Sequence, residues 1–166
     1  MNWEDENDDF DFNEEFSDDE QKEFDRNMEA REEKIENHSL HKQCVEIIGT
    51  LEALAENFTN EYQQILLASL LESAIMIRVK IESAMDSESW LIAMQNAAIV
   101  RDHAAYLLTS ARGLEKQFGT DKNYLKILQS EMMRFKSLFN DWVMEIQDFD
   151  EEDYEDEWGL FLREKI

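Results

Sequence analysis

The chain has 166 residues, of which 40 are acidic and 16 basic, for a formal charge of −24. It contains no proline, four glycines and one cysteine, which excludes a turn-rich sandwich or barrel and an internal disulfide framework. The charge is uneven: residues 1–37 carry net −13, residues 38–147 net −4 and residues 148–166 net −7. A near-balanced core therefore lies between two acidic ends, the composition of solvated interaction tails.

The first segment, residues 1–16, mixes acids with Trp3, Phe10, Phe12 and Phe16 and has no helical apolar face. It reads as disordered when free. Ser17 and Glu20 then form a capping-box pattern ahead of Phe24, Met28 and Ile35, which predicts a short helix over 18–36. A helix with so thin an apolar stripe is marginal alone.

Four longer amphipathic segments follow. Over 39–57, Leu40, Cys44, Ile47, Leu51, Leu54 and Phe58 step by 4, 3, 4, 3 and 4, the seam of a helix that keeps one face toward a partner. Gly49 inside it costs stability unless a neighbouring helix packs closely there. A second helix over 61–84, capped by Asn60 or Thr59, is apolar on more than one face. It reads as the most buried helix or as one with a second, self-associating face. Glu72, Arg78 and Lys80 interrupt its apolar run, so it is a buried helix and not a membrane span.

A third helix over 88–118, capped by Ser87 or Asp86, has an alanine-rich seam of Trp90, Ala93, Ala97, Val100, Ala104, Leu107, Ala111, Leu114 and Phe118. A fourth over 122–147 has a bulky one of Tyr124, Leu128, Met132, Phe135, Phe139, Trp142 and Ile146. Bulky residues against small ones predict dense packing between these two helices. Connections of about three residues cannot cross back along a helix of about 30 Å. The expected fold is thus an all-α, antiparallel up-down four-helix bundle over 38–147, with a short N-terminal helix and acidic, partly disordered termini. Residues 148–166 end in an apolar cluster, Trp158, Leu160, Phe161 and Leu162, expected to dock on the bundle or on a partner.

The chain offers little catalytic chemistry. The residues three before its histidines are Ile35, His38 and Val100, so the Glu-x-x-His pairs of di-metal bundles are missing. His38 and His41 alone are too few for a metal site. Arg101-Asp102-His103 reads as a solvated flank, because adjacent helical residues point apart. There is no glycine-rich phosphate loop, Gly-x-Ser-x-Gly elbow or Cys-x-x-Cys pair. The expectation is no catalytic residue, no metal and no cofactor. Ten bases dispersed among fourteen acids in the core argue against direct nucleic-acid binding, which needs clustered Lys and Arg. The lone cysteine and the acidic N-terminus, which lacks the basic and apolar regions of a signal peptide, point to the cytoplasm and away from membranes.

Two local stretches are similar to known families. Ile77-Arg78-Val79-Lys80-Ile81-Glu82-Ser83-Ala84, together with helix order and lengths from Cys44 to Ile146, resembles the small bacterial four-helix bundle proteins of ribosomal-RNA intervening sequences. That family carries Ile-Pro-x-Asn-Ile-Ala-Glu-Gly there; both Ile positions match, and Pro, Asn and Gly do not. The resemblance implies a non-enzymatic, self-associating bundle. His38-Ser39-Leu40-His41-Lys42 is similar to the His-x-Leu-Lys stretch of histidine phosphotransfer bundles. It departs from that pattern in having His41 at the Lys position and a bulky Lys42 where a small residue belongs, and in lying at a helix start.

Together these features predict a non-catalytic interaction or scaffold protein. Its acidic-aromatic arms bind a basic protein partner through Trp3, Phe10, Phe12, Phe16, Trp158, Leu160 and Phe161. Homo-oligomer formation through the second bundle helix is a further expectation. The alternatives are a nucleic-acid-mimicking inhibitor and a phosphotransfer bundle using His38 or His41.

Overall fold

The computed structural model describes residues 17–58, 60–87, 89–118 and 122–147. Every regular element among them is a helix: α1 Asp18–Asn37, α2 Ser39–Ala55, α3 Glu61–Asp86, α4 Trp90–Phe118 and α5 Lys122–Gln147. The chain divides into two units, Met1–Glu33 and Lys34–Ile166.

In the first unit, α1 begins where the capping box predicts. Ser17 N–H and Oγ both donate to Glu20 Oε2, at 2.9 and 2.8 Å, and Glu20 N–H donates back to Ser17 Oγ at 3.4 Å. These bonds satisfy amides that a helix start otherwise leaves open. Hydrogen bonds from Ser17, backbone first and then side chain, hold the Glu20 carboxyl below its ordinary range. Phe24 and Met28 are exposed.

The second unit is built on α2 to α5. His38 caps α2: its backbone is extended and Nδ1 accepts from Leu40 N–H at 3.2 Å. All six seam residues of α2, from Leu40 to Phe58, are buried. The helix stops at Ala55, two residues before the expected end. There Asn57 N–H turns to Leu54 O and Phe58 N–H to Ala55 O, a tightened last turn that swings Phe58 into the core. Asn60 is the α3 cap, its Oδ1 accepting from Tyr62 N–H at 2.9 Å. Thr59, the other candidate, lies outside the described residues.

The α3–α4 connection departs from expectation. α3 runs on to Asp86 and α4 starts at Trp90, two residues later than predicted at each side. The cap is Ser89, not Ser87 or Asp86: its carbonyl accepts from Ala93 N–H at 3.0 Å and its Oγ from Ile92 N–H at 3.5 Å. Ser87 Oγ instead accepts from Ser89 N–H at 3.1 Å and tightens the link.

Helices pair α2 with α3, α3 with α4, α4 with α5 and α5 with α2, a closed ring around one core. Cross-helix polar contacts locate three of these pairings, α2–α3, α3–α4 and α2–α5. His41 meets Glu82 and Cys44 meets Ala74. Ser83 meets Asn96 and Ser69 meets Tyr106. His38, Glu46 and Thr50 meet Glu145, Arg134 and Glu131.

The α3–α4 pairing is the most extensive. Both helices carry small buried residues, Ser73, Ala74 and Ala84 on α3 and Ala93 and Ala97 on α4. The bulky α5 residues Leu128, Met132, Phe135, Trp142 and Ile146 are also buried. They share the core with the alanines of α4. Each buried large aliphatic or aromatic side chain contributes about 1.5–3 kcal/mol over exposure. Gly49 plays no part in close packing: a Cβ there would meet nothing within 4 Å.

Candidate functional site

Trp3, Phe10, Phe12, Phe16, Trp158, Leu160 and Phe161, the residues expected to bind a partner, all lie outside the described residues, as do the termini expected to be partly disordered. The remaining candidate chemistry is in the second unit.

The two histidines near the start of α2 do different things. His38 is part-buried, held by its capping bond, with Nε2 3.6 Å from Glu145 Oε2. His41 is buried, and its Nε2 lies 2.9 Å from Glu82 Oε1. The same Glu82 oxygen accepts from Arg78 Nε at 2.9 Å. This chain of three groups ties α2 to α3. A phosphoryl group reaches an imidazole through an open nitrogen, and here the Glu82 carboxylate stands at Nε2 of His41. One turn on, Cys44 Sγ is 3.5 Å from Ala74 O. Burial pushes the thiol up to about 12, with Arg78 lowering it and Glu82 raising it. A thiol so seldom ionised is a packing group and not a nucleophile.

On the α2–α5 side, Thr50 Oγ1 donates to Glu131 Oε1 at 2.9 Å. Burial raises the Glu131 carboxyl above its usual range; the Thr50 bond lowers it and the nearby Glu46 charge raises it further. Glu131 Oε2 and both amide atoms of Gln43 are buried with no hydrogen-bond partner among the described residues.

The outer face of the α3–α4 pair carries an open groove of about 500 Å³, lined by Ser69, Glu72, Ser73, Met76, Asp102, His103 and Tyr106. Ser69 Oγ and Tyr106 OH share a 3.1 Å hydrogen bond across it. Glu72 stands on the α3 wall and has no ion-pair partner among the described residues. Asp102 stands on the α4 wall, one oxygen held by Arg101 Nε and Nη2 at 3.1 and 3.0 Å. Ser73 is 6% exposed and lines the groove without a hydrogen-bond partner among the described residues. Two carboxylates, hydroxyls, an aromatic ring and a thioether suit an alkylammonium: charge at the walls, apolar atoms for the methylene stem.

Sequence reasoning reads Asp102 and His103 as a solvated flank. Asp102 is indeed solvated, with 71% of its side chain accessible, and pairing with α3 makes the two residues one side of an open groove. The signal that foreshadows it is the second apolar face of α3, where Tyr62, Ile65, Ile75 and Val79 are exposed.

Among the described residues no three His, Cys, Asp or Glu side chains are grouped to hold a metal ion. No described helix is long and apolar enough to cross a membrane. The chain matches no protein-family model, no curated protein and no solved structure.

Proposed function

We propose that this is a cytoplasmic, non-catalytic interaction protein: an antiparallel up-down four-helix bundle over 38–147 that carries acidic-aromatic arms for a basic protein partner. The carrying observation is the partition of charge, with 20 of the 24 net negative charges in residues 1–37 and 148–166. Interleaved Trp and Phe give those arms apolar anchors that pure acidity lacks. Such segments fold onto a partner at the moment of binding, and their field steers a basic partner to them quickly.

The bundle reading is supported by the order of contacts. Along α2–α3, α3–α4 and α2–α5 the residue numbers rise on one helix as they fall on the other. Short connections demand the same antiparallel course. The likeness to the intervening-sequence bundle proteins points the same way, toward a scaffold without chemistry of its own.

The test is affinity capture from lysate with two full-length chains, the native one and one whose acids at 1–16 and 148–157 are amides. The native chain is expected to capture basic proteins at low salt and release them as salt rises past physiological strength. Identical partner sets for the two chains overturn the role of the arms.

A further inference from the structure

The outer columns of α3 and α4 repeat at heptad spacing. On α3, Ile65, Glu72 and Val79 are seven apart, with Ser69 and Met76 beside them; on α4, Ile92, Ile99 and Tyr106 are seven apart, with Asp102 and His103 between. Such columns lie on one face of each helix, and they share the residues that line the groove. Ile65 is 64% exposed, Val79 47%, Ile92 44% and Ile99 37%. The face thus has apolar ends and an acidic notch at its centre. From Ile65 to Val79 it runs about 21 Å, at about 1.5 Å per residue, the length of a four-turn helix.

We infer that this face is the docking groove for a basic amphipathic helix of a partner protein, whose apolar residues lie on the Ile and Val columns and whose central lysine enters the notch between Glu72 and Asp102. The inference rests on the reading that the protein takes a basic partner, and it adds where on the bundle that partner sits.

Charge complementarity selects the occupant. Glu72 has no cation beside it among the described residues, and Asp102 keeps one oxygen outside its bond to Arg101. Ser73, a residue 6% exposed whose hydroxyl has no partner among the described residues, lines the same space. An ammonium supplies donors to all three. A second copy of the chain, at net −24, would set Glu72 and Asp102 against their own equivalents, a like-charge juxtaposition that disfavours pairing. Residues 1–16 and 148–157 of the chain itself are acidic and meet the same repulsion.

The test uses the full chain and a fluorescent 18-residue peptide with Leu at heptad a and d positions and Lys elsewhere, with a Leu/Glu peptide as control. Amide chemical shifts are expected to move along 65–79 and 92–106 on adding the Lys peptide and not the Glu peptide. Replacing both carboxylates (E72Q with D102N) is expected to weaken binding about tenfold, each carboxylate contributing within the range of an exposed ion pair. The same charge change at exposed positions on and just after α2 (E52Q with E56Q) is expected to weaken it less than about twofold at physiological salt. Ile99→Asp, at an exposed position outside the core, is expected to weaken it as well.

Equal losses in the two double variants overturn the groove and leave only diffuse attraction. Shifts confined to 1–16 and 148–166 overturn the groove while the arms keep their role. Shifts on this face that grow with protein concentration alone, with a dimer in sedimentation, assign the face to a second copy and overturn the inference.

Discussion

Two helical glycines give a prediction with a definite sign. Gly49 lies in α2 and Gly113 in α4, and at each an added Cβ meets no atom within 4 Å. Alanine therefore gains its helix preference with no steric cost, about 1 kcal/mol per site, mostly by restricting the unfolded chain. α2 and α4 do not pair with each other in the ring, so the two gains add, to about 2 kcal/mol. For a chain of this size the double variant should melt about 4–8 °C higher. Urea titration followed by circular dichroism should move the midpoint up without changing the slope. A fall at either site would mean that a neighbour occupies the space beside that glycine, and it would refute the packing described for that helix.

Other perturbations probe the core and its polar seams. Cys44 should resist iodoacetamide in the native protein at pH 8 and react readily in urea, because burial holds its thiol at about 12; equal rates would place it outside the core. Phe135→Ala removes a ring that is 1% exposed and should cost about 3–5 kcal/mol, read from the urea midpoint. Glu131 is raised in the folded state by burial first. Its stabilising contribution is therefore complete below the ordinary carboxylate range and is lost as pH rises through the raised value. Glu131→Gln keeps a carbonyl for Thr50 and should flatten that decline, making the variant more stable than the native chain at pH 7; a destabilised variant would show that the charge itself is needed there.

Much of this architecture is written in local periodicity. The 4-3 alternation from Leu40 to Phe58 places a buried face before any partner is known, and all six residues are buried. Capping chemistry is similarly local, which is why Ser17 and Asn60 are legible as helix starts. The site is less legible for a physical reason: its walls lie about thirty residues apart in the chain. Ser69, Glu72 and Ser73 meet Asp102, His103 and Tyr106 only through the α3–α4 pairing. His41 is another case. Beside the seam at a helix start it reads as a surface histidine, and only the approach of α3 with Glu82 buries it.

Seams of alternating apolar residues leave one ambiguity, since a helix slid by seven residues buries nearly the same surface. The cross-helix polar contacts resolve it. His41–Glu82 registers α2 on α3, Ser83–Asn96 registers α3 on α4, and Thr50–Glu131 registers α2 on α5. Each adds only about 1 kcal/mol net when formed, yet a slip that strands a buried partner costs about 1–3 kcal/mol. A slip of α2 would separate His41 from Glu82 and Thr50 from Glu131 at once, so the penalties fall together on one wrong register. Of the groove residues, Ser69 and Tyr106 share this duty through their 3.1 Å bond between α3 and α4. The α3–α4 register is also fixed by Ser83–Asn96. Glu72 and Asp102 make no bond between the two helices among the described residues, which leaves both carboxylates available to the cationic partner proposed above.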